Sequence, residues 1–205
     1  INGELKIEDP DIHRKIKLGE SSNTQIKGNK VKGPGFTAIA GMQGLKDILK
    51  TEVIEVLNNP EEYARYGLTI PNGMLLYGPP GCGKSLIIKI ACQMLKNVAV
   101  VAPTGSAAVQ LQADGIPSGT LHSFFQLPPT TIIDQEAIFK QMFKKQRDLI
   151  KKLDVIIIDE VSMISSHMFD TIMMKLSHIR NGDLPRFILF GDIFSCSAVI
   201  SCIFA

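Results

Sequence analysis

The eight residues Gly78-Pro79-Pro80-Gly81-Cys82-Gly83-Lys84-Ser85 restrict this chain more than any other feature. They fit the spacing G-x-x-x-x-G-K-[ST] without a gap, after the apolar run Met74-Leu75-Leu76-Tyr77 and before a stretch of helical periodicity. Glycines let the backbone turn tightly enough to aim several N–H groups at a chain of phosphates. The first turn of the following helix adds its own free N–H groups and the positive end of its dipole. In such a loop Lys84 reaches the β- and γ-phosphates of a nucleotide, and the Ser85 hydroxyl is placed to ligate Mg²⁺. The expected nucleotide contacts run from Gly78 through Leu86, with ATP and Mg²⁺ as cofactors.

On both sides of this loop, apolar runs alternate with helical spacing. Leu45, Ile48, Leu49, Val53, Val56 and Leu57 predict an amphipathic helix over 42–58 that Asn58-Asn59-Pro60 ends, and a short helix follows around Glu61 to Tyr66. Beyond the loop, the pattern predicts a helix through Leu95, a strand from Val98 to Ala102 and a helix from Gly105 to about Gln112. A loop through Gly115, Pro117 and Gly119 comes next. Ile138, Phe139, Met142, Phe143, Leu149, Ile150 and Leu153 then mark one helix, whose other face carries Lys140, Lys144, Lys145, Arg147, Lys151 and Lys152. Solvation is the commoner fate of such a basic face, although it can follow a phosphate backbone. Val155 to Ile158 has the unbroken apolarity of a buried parallel strand, a Met-rich helix covers 166–180, and Phe187 to Phe190 is a further strand. Met168, Met173 and Met174 are read as core. The alternation predicts an α/β fold, a three-layer P-loop NTPase (RecA-like) sandwich with a mainly parallel sheet and ligands at the carboxyl ends of its strands.

The bulk composition sets wider bounds. A length of 205 residues suits one such domain (36–205) behind an arm over 1–35, where glycines and charges outnumber apolar positions. The net charge of +2 permits a nucleic-acid partner without requiring one. No apolar run is long enough to span a membrane and no signal peptide opens the chain, which starts at Ile1 as a trimmed piece would. Cys82, Cys92, Cys196 and Cys202 form no C-x-x-C pair, as expected of a reducing cytosolic or nuclear compartment without structural zinc.

A second motif answers the first. Ile156-Ile157-Ile158-Asp159-Glu160 delivers two carboxylates where a buried strand stops. Asp159 suits Mg²⁺, a hard cation that takes oxygen ligands, and Glu160 is placed to act as general base on an attacking water. Lys84, Asp159 and Glu160 are therefore the candidate catalytic residues, and Ser85 and Asp159 the candidate metal ligands, for phosphoryl transfer from MgATP to water.

Two resemblances meet at the loop. Residues 36–83, from Phe36-Thr37-Ala38-Ile39-Ala40-Gly41 to the glycine-rich loop, resemble the AAA module of protein-remodelling and protease-associated ATPases. That likeness implies that Ile39, Ala40 and Gly41 line an adenine pocket. Residues 85–200 carry "VVAPTGSAA", "TLHSFF", "VIIIDEVSMI" and "ILFGD", which resemble, in order, the motifs of petite-integration-frequency-type DNA helicases of superfamily one. This likeness implies single-stranded DNA as partner, with Thr104, Gly105, Thr120 and His122 near its backbone and Phe124 and Phe125 as stacking or packing rings. It also places Asp192 beside the nucleotide.

The chain departs from the helicase pattern after Asp192, where Ser195, Cys196, Ser197 and Ala198 stand in place of Gln, Leu, Pro and Pro. Ser195 is too short to reach a γ-phosphate as that glutamine does. No second motor domain or arginine finger follows within the sequence, so the expectation is MgATP binding, slow hydrolysis and no unwinding by this chain alone. Three readings stand: a DNA-helicase motor domain, an AAA ATPase that remodels protein substrates as a homo-oligomeric ring, and a degenerate nucleotide-binding module.

Overall fold

Val155, Ile156, Ile157 and Ile158 are all fully buried, which a strand achieves only when both faces of its sheet are covered. The structure, a computed structural model, describes residues 35–38, 40–66, 73–78, 81–127 and 142–191. Residues 1–34 of the expected arm, Ile39, Pro79, Pro80, Asp192, Ser195 and the first part of the helix expected from Ile138 lie outside the described residues. Five strands, β1 (Gly73–Tyr77), β2 (Val98–Ala102), β3 (Ser118–Thr120), β4 (Val155–Ile158) and β5 (Arg186–Gly191), form one sheet in the order β1-β5-β4-β2-β3. Every pairing is parallel.

Strand side chains alternate between two cores. Val100, Val155, Ile157, Ile188 and Phe190 face helices α1, α3 and α4. Here α1 is the unbroken helical run Gln43–Ile48, Leu49–Glu55 and Val56–Asn58, α3 is Lys84–Met94 and α4 is Gly105–Ala113. Val101, Ile156, Ile158, Phe187 and Leu189 face α5 (Leu121–Phe125), α6 (Lys144–Lys151) and α7 (Ser166–Arg180). The short helix α2 (Pro60–Arg65) starts on its proline, which cannot donate but suits a first helical position. The result is the expected three-layer sandwich.

Several local expectations are corrected. The middle of α1, Leu49–Glu55, is wound as a π-helix. Leu49 and Val53 are four positions apart, wider than the 3.6-residue α-helical turn, and the wider winding between them buries both together with Ile54. Ile48 falls off that face and is 45% exposed. Ser118-Gly119-Thr120, expected as loop, pairs with the edge of β2. Helix α6 begins at Lys144, with Phe143 extended before it and 74% exposed instead of buried. Met168 and Met173 pack on the core as expected, whereas Met174 is 41% exposed.

Candidate nucleotide site

Among the described residues four helices meet the carboxyl ends of the strands, and one of them leaves its N-terminus open. Thr104 Oγ1 caps α4 by accepting from Ala107 N at 3.3 Å, Thr120 Oγ1 caps α5 by accepting from Ser123 N at 3.2 Å, and Ser165 Oγ caps α7 by accepting from Met168 N at 3.2 Å. Helix α3 starts on Gly83, which has no side chain to offer. The N–H groups of Lys84, Ser85 and Leu86 precede the first helical bond, which Ile87 donates to Gly83 O at 3.1 Å. Gly81 and Gly83 sit at φ +77° and +88°, where a side chain would be strained. A Cβ on Gly78 would lie 2.9 Å from Cys82 Sγ, so the glycine lets the loop close over the cysteine. Lys84 Nζ donates to Gly78 O at 3.1 Å, folding the ammonium back over the mouth of the loop.

The acidic pair stands two strands away, with β5 between. Asp159 N donates to Val101 O at 3.0 Å, extending the ladder between β4 and β2 by one rung. Burial pushes the Asp159 carboxyl above its usual range and the Glu160 carboxylate adds to this, while a bond from the Glu160 N–H and the charge of Lys84 act against it. Lys84 and Asp159 are thus electrostatic neighbours although 75 positions apart in sequence. Glu160 is held at φ +51°, a left-handed conformation that costs a non-glycine residue of the order of 1 kcal/mol. A 3₁₀ turn, Val161–Met163, follows and presses on Gly191 at the end of β5. A Cβ on Gly191 would lie 2.8 Å from Val161 Cγ1 and 3.2 Å from Ser162 N, a constraint that only the packing of β5 under the turn reveals.

The register fixes the order of groups along this edge. Tyr77 pairs with Gly191, Leu189 with Ile158, Ile158 with Val101 and Ala102 with Thr120. The phosphate loop, Gly191, the acidic pair, Thr104 and Thr120 therefore follow one another across the sheet. Gly105 is exposed at the head of α4 and His122 is half-buried in the first turn of α5. Phe124 is 3% exposed and Phe125 is fully buried, their rings edge to face at 5.0 Å, so packing and not base stacking is their role here. Ala40 and Gly41 are exposed. The turn Gly35–Ala38 before them packs on α3, with Gly35 beside Met94 at the end away from the phosphate loop.

The donor set suits MgATP. Open N–H groups and Lys84 match a polyphosphate, and a carboxyl whose ionisation is opposed by burial gains from a cation beside it. Among the described residues no group of three or more His, Cys, Asp or Glu could hold a metal. A cation would take Ser85, Asp159, phosphate oxygens and water, the ligand set that Mg²⁺ favours.

A glycine-led helix on one strand end and a carboxylate pair two strands away define a P-loop NTPase domain. The chain belongs to the AAA domain family, whose model matches residues 62–195. The ATP-dependent zinc metalloprotease FtsH 1 of Alkaliphilus metalliredigens (strain QYMF) is 34% identical over 143 residues, which cover 70% of this chain and 20% of that protein. The Pif1 helicase from Bacteroides, solved in complex with ADP-AlF3 and ssDNA, superposes with a TM-score of 0.53 at 30% identity, covering 65% of this chain and 31% of its own. The Pif1 helicase from Candida albicans gives a TM-score of 0.50 at 28% identity, over 66% of this chain and 32% of its own. The chain thus spans a fifth of that FtsH relative and about a third of those helicases. It is similar to a Pif1-type helicase motor domain with an AAA-like P-loop. Among the described residues no helix is long and apolar enough to cross a membrane.

Proposed function

We propose that this domain binds MgATP between the phosphate loop and the acidic pair, hydrolyses it, and serves as the first motor domain of a single-stranded-DNA-dependent helicase. The observation that carries the reading is the order along the sheet edge, where Asp159 lies between the loop of Lys84 and the caps Thr104 and Thr120. Lys84 and the N–H groups of Ser85 and Leu86 would hold the β- and γ-phosphates. Ser85 and Asp159 would hold Mg²⁺, which supplies charge neutralisation for the phosphates. Glu160 would take a proton from water as the water oxygen bonds to the γ-phosphorus and the bond to the bridging oxygen of the β-phosphate breaks, leaving ADP and phosphate.

Thr104, Gly105, Thr120 and His122 would meet the DNA backbone, the threonine hydroxyls donating outward while their oxygens keep the helix caps. Asp192 would approach the nucleotide, and Ile39, Ala40 and Gly41 would line the adenine. The test is binding of a fluorescent ATP analogue with and without Mg²⁺. Mg²⁺-dependent binding that Lys84→Ala weakens supports the site, whereas equal binding by both chains removes it.

A second reading has its own support in the identity to FtsH over 70% of the chain, that of an AAA ATPase acting on proteins as a homo-oligomeric ring. ATP-dependent hexamers with turnover indifferent to DNA would favour it over the helicase.

A further inference from the structure

Helix α6 presents an unusual outer face. Lys144, Arg147 and Lys151 stand at i, i+3 and i+7, one stripe about 10 Å long, and Lys145 and Lys152 flank it. All five side chains are exposed, none forms an ion pair among the described residues, and Asp148 is the one acid within the helix. At the head of the stripe, Phe143 is 74% exposed. Its position is fixed: its N–H donates to Gln126 Oε1 at 2.8 Å, and Gln146 Nε2 donates to Phe124 O at 2.8 Å. Both bonds tie the start of α6 to α5, the helix that Thr120 caps and that carries His122.

An aromatic ring in water forgoes roughly 1.5–3 kcal/mol of burial, and this one is held there by its own backbone. An exposed ring beside a row of unpaired cations is the combination that binds single-stranded nucleic acid, with a base on the ring and phosphates along the cations. We infer that Phe143 and the basic face of α6 form a second contact for single-stranded DNA, joined to the Phe124–Gln126 end of the helix that carries His122. The identity of the ligand rests on the helicase reading above, but the surface does not. A duplex would use the cations and leave the ring idle, because its bases are already stacked.

The test is fluorescence anisotropy of a labelled oligothymidylate with the full chain over a range of salt concentrations, with melting curves to show that each variant folds. Phe143→Ala should weaken binding about ten-fold with the salt dependence unchanged, and Phe143→Trp should restore it. Lys144→Glu combined with Lys145→Glu should weaken binding and lower the salt slope by about 1.4, roughly 0.7 per lost phosphate contact. Wild-type affinity and slope in these variants would overturn the inference, as would a duplex binding equally well without regard to Phe143. If His122→Ala abolishes binding while the α6 variants keep it, only the α6 surface falls. If the unaltered chain hydrolyses ATP but binds no oligothymidylate at low salt, the DNA reading falls with it.

Discussion

The backbone N–H of Asp159 donates to the carbonyl of Val101 at 3.0 Å, and two residues after Val101 the chain enters the turn that Thr104 caps. One peptide group thus links the carboxylate proposed for the nucleotide to the loop proposed for DNA. The link is short and rigid because Ile158 and Val101 are fully buried on either side of it.

Lys84→Ala tests the loop. The variant loses a charge-assisted contact to phosphate of about 1.5–3 kcal/mol, so MgATP affinity should fall roughly ten- to hundred-fold by titration calorimetry. Stability should change little, because the bond given up, to Gly78 O, is partly exposed.

Gly191→Ala tests the support beneath Glu160. The added methyl meets the branched Val161 side chain and two backbone nitrogens, so the turn after Glu160 must move. Overpacking of this kind costs about 1–3 kcal/mol. Urea melts should show that loss, and turnover should fall further than the loss of folded protein explains.

Lys175 tests the opposite core. Its side chain is 1% exposed, its Nζ donates to Gln126 O at 3.3 Å, and burial lowers its pKa from 10.5 to about 8. The unfolded chain then binds the extra proton between pH 8 and 10.5, so this residue makes the fold more stable as pH rises through that window and contributes no pH dependence well below it. Lys175→Met should stabilise the protein at pH 7 by about 1–3 kcal/mol. The gap between variant and parent melting temperatures should close as the pH approaches 10.5.

The sequence reveals most where apolar patterning and motif spacing act locally. The run Val155–Ile158 announces a strand covered on both faces, and the loop from Gly78 to Ser85 announces the open helix N-terminus. It is silent where tertiary contacts decide. Ser118-Gly119-Thr120 has no strand signature, and its pairing depends on the free edge of β2 and on Ser118 Oγ donating to Ala108 O at 2.9 Å. Phe124 and Phe143 are equally apolar, yet one is 3% and the other 74% exposed, a difference set by tertiary packing and not by residue type. Lys175 sits within a Met-rich helical pattern, where only the packed core shows that its ammonium ends beside Gln126. The ordering of the two motifs across β5 likewise belongs to the sheet, since strand order is not written in any single segment.

The most direct measurement is ATP turnover by this chain with and without single-stranded DNA, beside Glu160→Gln. The variant keeps the loop and the metal ligands but lacks the base, and should lose about 10²–10⁴-fold of the rate while binding MgATP normally. The expected result is slow turnover that single-stranded DNA accelerates, with both the basal rate and the acceleration absent in Glu160→Gln. Turnover that survives in Glu160→Gln, or that is absent from the unaltered chain while MgATP binds, would contradict the account.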